Sequence, residues 1–202
     1  MNKWDERYRV HETVYGVSPN RFMASHMSLM NPGKAAFPCD GEGRNGVWAA
    51  EMGWDVWSFD ASAVGVEKAQ ALAKKKGVRL DAVVGDAFEV APGQQFDLVV
   101  LVFAHMPELR RKEFHQRAWS WVKPGGQLLV EGFHRDQLGL SSGGPKDLSM
   151  LFDETTLVED IKGSGDKAQT LWSARCTQVL DEGPFHQGLG VTCQWVMKKS
   201  KP

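Results

Sequence analysis

Gly41-Glu42-Gly43-Arg44-Asn45-Gly46 spells G-x-G-x-x-G, and Asp60 stands nineteen residues beyond Gly41. Small residues let a backbone approach a ligand closely, and an acid closing the next strand can hold two ribose hydroxyls. The bland alternative is a glycine turn between a strand and a helix. A second acid follows in Val84-Gly85-Asp86-Ala87. The expected ligand surface comprises Gly41, Glu42, Gly43 and Asn45, then Asp60 with Ala61 and Ser62, Asp86 with Ala87, and Phe103. His105, in Phe103-Ala104-His105-Met106-Pro107, leaves the same strand end as Phe103. A neutral imidazole there can accept a proton, because its pKa lies near physiological pH. His186 sits beside a proline and glycines, so it is either a surface turn histidine or a substrate-contacting proton acceptor. No Cys/His pair has a usable ligand spacing, and no metal is expected.

The elements that must position these groups read from periodicity and punctuation. Ser18 and Pro19 open a helix expected over 19–30, ended by Asn31-Pro32-Gly33. Short apolar strands ending near Cys39, Asp60, Val84 and Phe103 alternate with helices, and Lys74-Lys75-Lys76-Gly77 closes one of those helices. Lys123-Pro124-Gly125-Gly126 turns into a strand over 127–133, and Asp153 is expected to cap a helix after a polar, glycine-rich insertion at 134–152. Such alternation implies a doubly wound, mostly parallel α/β sheet. Residues 168–180 and 189–198 are both extended and too close in sequence for a crossover helix, so they form an antiparallel hairpin. Seven strands are expected in all.

The chain has 202 residues with 24 basic against 25 acidic side chains, a formal charge of −1. That length suits a single domain, 1–202, and the balance argues against a polyanion partner. No apolar run is long enough to span a membrane, and the three cysteines are too few for a disulfide framework. A cytoplasmic protein, monomer or homodimer, with neither nucleic acid nor membrane as partner is the expectation.

The terminal hairpin and the second acid favour a methyl-donor nucleotide over a nicotinamide dinucleotide. The chain resembles the class I S-adenosylmethionine-dependent methyltransferases, and within them the small tellurite-resistance and thiopurine methyltransferase-like family. The resemblance rests on Trp4-Asp5-Glu6-Arg7-Tyr8, Tyr15-Gly16, Pro19-Asn20, Gly41 to Asn45, Asp60, Gly85-Asp86, Lys123-Pro124-Gly125-Gly126, Gly143-Gly144-Pro145-Lys146 and Glu182-Gly183-Pro184-Phe185-His186. It implies S-adenosylmethionine as cofactor, with Asp60 on its ribose, Asp86 beside its adenine and Arg7 on its carboxylate. It also implies that the N-terminal arm and helix (1–30) cover the site. The chain departs from the pattern in two places. Cys39 takes the position usually held by an acid, with Asp40 displaced by one residue, and Asn45 replaces the third glycine. After His186, Gln187-Gly188-Leu189-Gly190 stands where the tellurite enzymes carry basic residues, which argues against an oxyanion acceptor. The implied reaction is methyl transfer to a small molecule, a thiol or a tellurium or selenium compound among the candidates. The alternatives are a non-catalytic cofactor-binding protein on the same fold and an NAD-dependent oxidoreductase.

Overall fold

Leu98 and Val100 bury on one side of their strand with Ala35, Phe37 and Val56, while Val99 and Leu101 bury on the other with Ala36, Phe59 and Val130. A strand apolar on both faces must be covered on both, and the chain supplies a helical layer for each. In a computed structural model, which describes residues 3–201, the strands are β1 (Lys34–Pro38), β2 (Asp55–Asp60), β3 (Asp81–Val84), β4 (Phe96–Val102), β5 (Val122–Phe133), β6 (Ala168–Asp181) and β7 (Gln187–Lys199). Met1, Asn2 and Pro202 lie outside the described residues. The sheet order is β3-β2-β1-β4-β5-β7-β6. The first five strands pair in parallel; β7 runs antiparallel between β5 and β6. This is the seven-stranded, doubly wound α/β architecture with a C-terminal hairpin that the sequence predicts.

The helices are α1 (Lys3–Val10), α2 (Arg21–Met27), α3 (Arg44–Glu51), α4 (Ala63–Lys76), α5 (Glu108–Ser120) and α6 (Thr156–Ile161). On one face, Met23 and Met27 of α2 and Ala49 of α3 pack against Phe37, Leu98 and Val196. On the other, Phe114 and Trp119 of α5 and Leu157 and Ile161 of α6 pack against Val99, Leu128 and Trp195. Most tryptophans are core as expected, but Trp172 on β6 is half exposed.

Three boundaries differ from the sequence reading. α2 starts at Arg21 because the Asn20 side chain, not Ser18, accepts the Met23 N–H at 2.9 Å. The segment Lys123–Gly126 does not precede β5 but bulges within it, between the pairs Phe96↔Val122 and Leu98↔Gln127. A side chain at Gly126 would lie 2.9 Å from the Asp97 carbonyl, so only glycine admits this close passage. Asp153 stands two residues before the cap of α6, where its carboxylate accepts the Thr155 N–H and the hydroxyls of Thr155 and Thr156.

Candidate active site

Strands β1 and β4 are neighbours although β2 and β3 lie between them in sequence, so the winding reverses there. In open α/β sheets the crevice at that reversal is where ligands bind. Two non-glycine residues among those described take left-handed backbone, and they cap these two strands: Cys39 (φ 57°) and Phe103 (φ 53°). Such conformations cost on the order of 1–3 kcal/mol and persist where the surroundings over-determine them. Phe103 is held by its N–H to the Glu131 carbonyl at 2.7 Å.

The glycine loop follows Cys39. A side chain at Gly43 (φ 80°) would lie 2.5 Å from the Ala69 methyl of α4, and one at Gly41 would collide with the phenol oxygen of Tyr8. The loop is therefore thin by necessity, and α1 lays Tyr8 directly upon it. Asp60 closes β2 and braces the loop: Oδ2 accepts the Gly41 N–H at 2.9 Å and Oδ1 the Ser62 N–H at 2.8 Å. Burial pushes its carboxyl pKa up, against the pull of these two bonds. Ser62 caps α4 through Gly65 and donates its hydroxyl to Asp5 at 2.6 Å. Ala61, between them, is exposed. Asp86, at the end of β3, is exposed and accepts the Phe88 N–H, whereas Ala87 points into the core.

Other loop residues face the N-terminal segment. Glu42 accepts the Val14 N–H at 2.7 Å and pairs with Lys68 at 2.8 Å. Lys68 also donates to the carbonyls of Tyr8, His11 and Glu12, tying the end of α1 to α4. Asn45 accepts the Asn20 N–H at 2.9 Å. The displaced acid, Asp40, turns back onto α3 and accepts the Gly46 N–H at 3.1 Å; burial raises its pKa well above the usual carboxylate range. Arg7 donates to the Tyr15 hydroxyl at 3.0 Å, with its guanidinium over the rings of Trp4 and Phe185.

The two candidate histidines occupy different environments. His105 lies at the carboxyl edge, but its Nδ1 donates to the Met150 carbonyl at 2.7 Å and its Nε2 accepts the Phe133 N–H at 2.9 Å. Burial lowers its pKa to about 4. With both nitrogens engaged by backbone, this imidazole is a neutral brace between three segments and has no lone pair directed at a substrate. His186 lies on the β6–β7 turn at the same edge of the sheet, and it is buried, which removes the surface-turn reading. Its ring packs between Tyr15, Phe103 and Phe133, with centroids 4.6, 4.5 and 5.1 Å away. Glu182 Oε2 lies 3.5 Å from its Nδ1. Burial would raise the Glu182 carboxyl, but His186 and the Arg44 guanidinium at 2.9 Å hold it down at about 2. Tyr15 and Glu182 belong to motifs that the sequence offered without a role, while Lys68 carried no signal on its amphipathic helix.

Residues 39–126 match the family described as a methyltransferase domain. No curated protein matches the sequence significantly. Among solved structures, one described as the conversion of a disulfide bond into a thioacetal group during echinomycin biosynthesis is 13% identical, with TM-score 0.78 over 98% of this chain and 90% of that one. TehB from Haemophilus influenzae is 16% identical, with TM-score 0.72 over 90% of this chain and 62% of that one. Magnesium protoporphyrin IX methyltransferase (ChlM) from Synechocystis PCC 6803 with bound SAH is 16% identical, with TM-score 0.69 over 99% and 88%. The matched core runs from the glycine loop to the bulge within β5, and the seven-stranded sheet that carries it has the fold of these solved structures.

Proposed function

We propose that the chain transfers a methyl group from S-adenosylmethionine to a small, soft acceptor, with His186 receiving the acceptor's proton. The observation that carries this reading is a buried imidazole, walled by Tyr15, Phe103 and Phe133, on the same carboxyl edge as the glycine loop and Asp60. The residues fit the cofactor. Asp60, beside the thin glycine loop, is a carboxylate with acceptor capacity left beyond its two backbone bonds for ribose hydroxyls. Asp86 stands at the neighbouring strand end for the adenine side, and Arg7 is the cation for the amino-acid carboxylate. S-adenosylmethionine supplies a methyl carbon on a cationic sulfur, which leaves as the neutral thioether of S-adenosylhomocysteine once the acceptor's lone pair bonds that carbon.

The protein's part is then placement, exclusion of water and disposal of one proton. The aromatic rings around His186 suit a polarisable acceptor, and Arg7, Tyr15 and Phe185 pack on one another beside them. A thiol is the favoured acceptor class, because the stretch after His186, Gln187 to Gly190, lacks basic residues for an oxyanion and the echinomycin neighbour acts on sulfur. Selenium and tellurium compounds share the same softness. The enzyme is proposed to act in the cytoplasm as one domain, as a monomer or homodimer. No helix among the described residues is long and apolar enough to cross a membrane.

The test is a methyl-transfer screen over thiols, selenite and tellurite, read as S-adenosylhomocysteine formed, followed by His186→Ala on the best acceptor. Turnover should fall by about 10²–10⁴ while calorimetric affinity for S-adenosylmethionine stays the same. Wild-type turnover in that variant would remove His186 from the reaction.

A further inference from the structure

We propose that Glu182 is the positioning residue for His186, holding the ring so that Nδ1 carries the hydrogen and Nε2 is left to take the acceptor's proton. This rests on the reading of His186 given above and adds a second member to the site.

The turn builds the pair. Glu182 donates its N–H to the His186 carbonyl at 2.9 Å, and His186 donates its N–H to the Gly183 carbonyl at 3.2 Å, so the two side chains issue from one closed loop. The Glu182 carboxylate is itself pinned from two other elements, by Arg44 of α3 at 2.9 Å and by the Asn20 amide before α2 at 3.3 Å. A carboxylate fixed by a guanidinium and an amide cannot rotate freely, so its Oε2 presents a stationary negative charge 3.5 Å from Nδ1. That Nδ1 is buried and makes no hydrogen bond of ordinary geometry. A buried polar nitrogen left one step short of its partner is costly unless function uses it.

The missing step is supplied by charge. As Nε2 takes a proton the ring becomes cationic, and the contact to Glu182 becomes a charge-assisted bond, which is shorter and about twice as strong as a neutral one. Glu182 therefore favours the protonated ring that forms during transfer more than the neutral ring before it. The other groups facing the imidazole do not substitute for it. Arg44 and Arg7 oppose the positive charge, Tyr15 and His105 are neutral, and Phe103 and Phe133 are apolar. The Nε2 edge lies beside Gly143, whose φ of 116° and proximity to the ring leave no room for a side chain.

The experiment reads the ring directly and needs no substrate for its first arm. In wild-type protein, the ¹⁵N shifts of His186 should report the Nδ1–H tautomer; the Nε2–H tautomer overturns the proposal even if every variant fails to fold. In Glu182→Gln, the His186 titration midpoint should move down, and the acid limb of the kcat profile should move down with it. Turnover should fall at least tenfold with KM nearly unchanged, because the loss lies in the protonated state, and Glu182→Asp should recover part of it. A merely structural glutamate would leave the tautomer and the pH limb in place, and that result overturns the proposal. His186→Gln separates the two readings. If it abolishes turnover while Glu182→Gln keeps the wild-type pH profile, only the positioning role fails; if it turns over normally, both fail.

Discussion

His105 shows how a residue with the right chemistry and the right address can be spent on architecture. Its ring joins the segment after β4 to the Met150 carbonyl and to the last residue of β5, with each nitrogen used once. That arrangement has a thermodynamic signature. Its pKa is about 4 in the folded protein, against about 6.5 in an unfolded chain. As pH falls below 6.5 the unfolded chain takes the proton first, so stability is lost progressively down to pH 4 and is fully present above 6.5. The limit of that loss is about 3 kcal/mol for this one group. In urea unfolding at pH 7 and pH 4.5, His105→Gln should be less stable than wild type at pH 7, with the gap closing at pH 4.5. A gap that is constant with pH would mean that the ring is not held neutral.

The N-terminal arm is governed by α4 as much as by its own sequence. Lys68 donates to the carbonyls of Tyr8, His11 and Glu12 and to the Glu42 carboxylate, while Asp5 accepts the Ser62 hydroxyl and the Val64 N–H at the other end of the contact. Replacing Lys68 by methionine leaves Glu42, nearly buried, without its cation. The cost should be about 1–3 kcal/mol, and amide exchange over residues 3–14 should accelerate while the sheet stays protected. Uniform acceleration across the protein would contradict a local clamp.

The strands were legible because runs such as Phe96 to Val102 are apolar on both faces, which only a doubly covered sheet accommodates. Spacing alone foresaw the placement of Gly41 and Gly43 on the loop after β1 and of Asp60 and Asp86 at the ends of β2 and β3. Glu42, Asn45 and Ala87 were grouped with them by adjacency, yet face the arm or the core. Sequence neighbours on a tight loop point in different directions, and nothing local says which. Ser18 lost the cap of α2 to Asn20 for a similar reason: the Ser18 carbonyl is engaged by Arg44, and Asn20 bonds simultaneously to the helix, to Glu131 and to Glu182. A lysine clamp such as Lys68, sixty residues from the carbonyl of Tyr8, has no signature in either segment.

At the scale of the molecule, both helical layers and the hairpin meet on one sheet, and β7 is the joint. Trp195 is fully buried on it, packs 5.8 Å from the Phe152 ring and donates its indole N–H to the Glu154 carbonyl at 3.2 Å. Trp195→Ala should lower unfolding free energy by about 3–5 kcal/mol, checked by chemical denaturation. A change below about 1 kcal/mol would mean that the hairpin is an appendage.

The position of β7 between β5 and β6 also sets a timetable. A polypeptide leaves the ribosome in order, so β5 and β6 are both made before the strand that must lie between them. Until residues 187–199 emerge, β5 presents an open row of amides beside Leu128 and Val130, and β6 has no partner at all. Such an edge recruits any strand that reaches it. A nascent chain with β6 outside the tunnel and residues 187–199 still inside it is therefore at its stickiest, and the burden of keeping it soluble falls on whatever meets it at the tunnel exit.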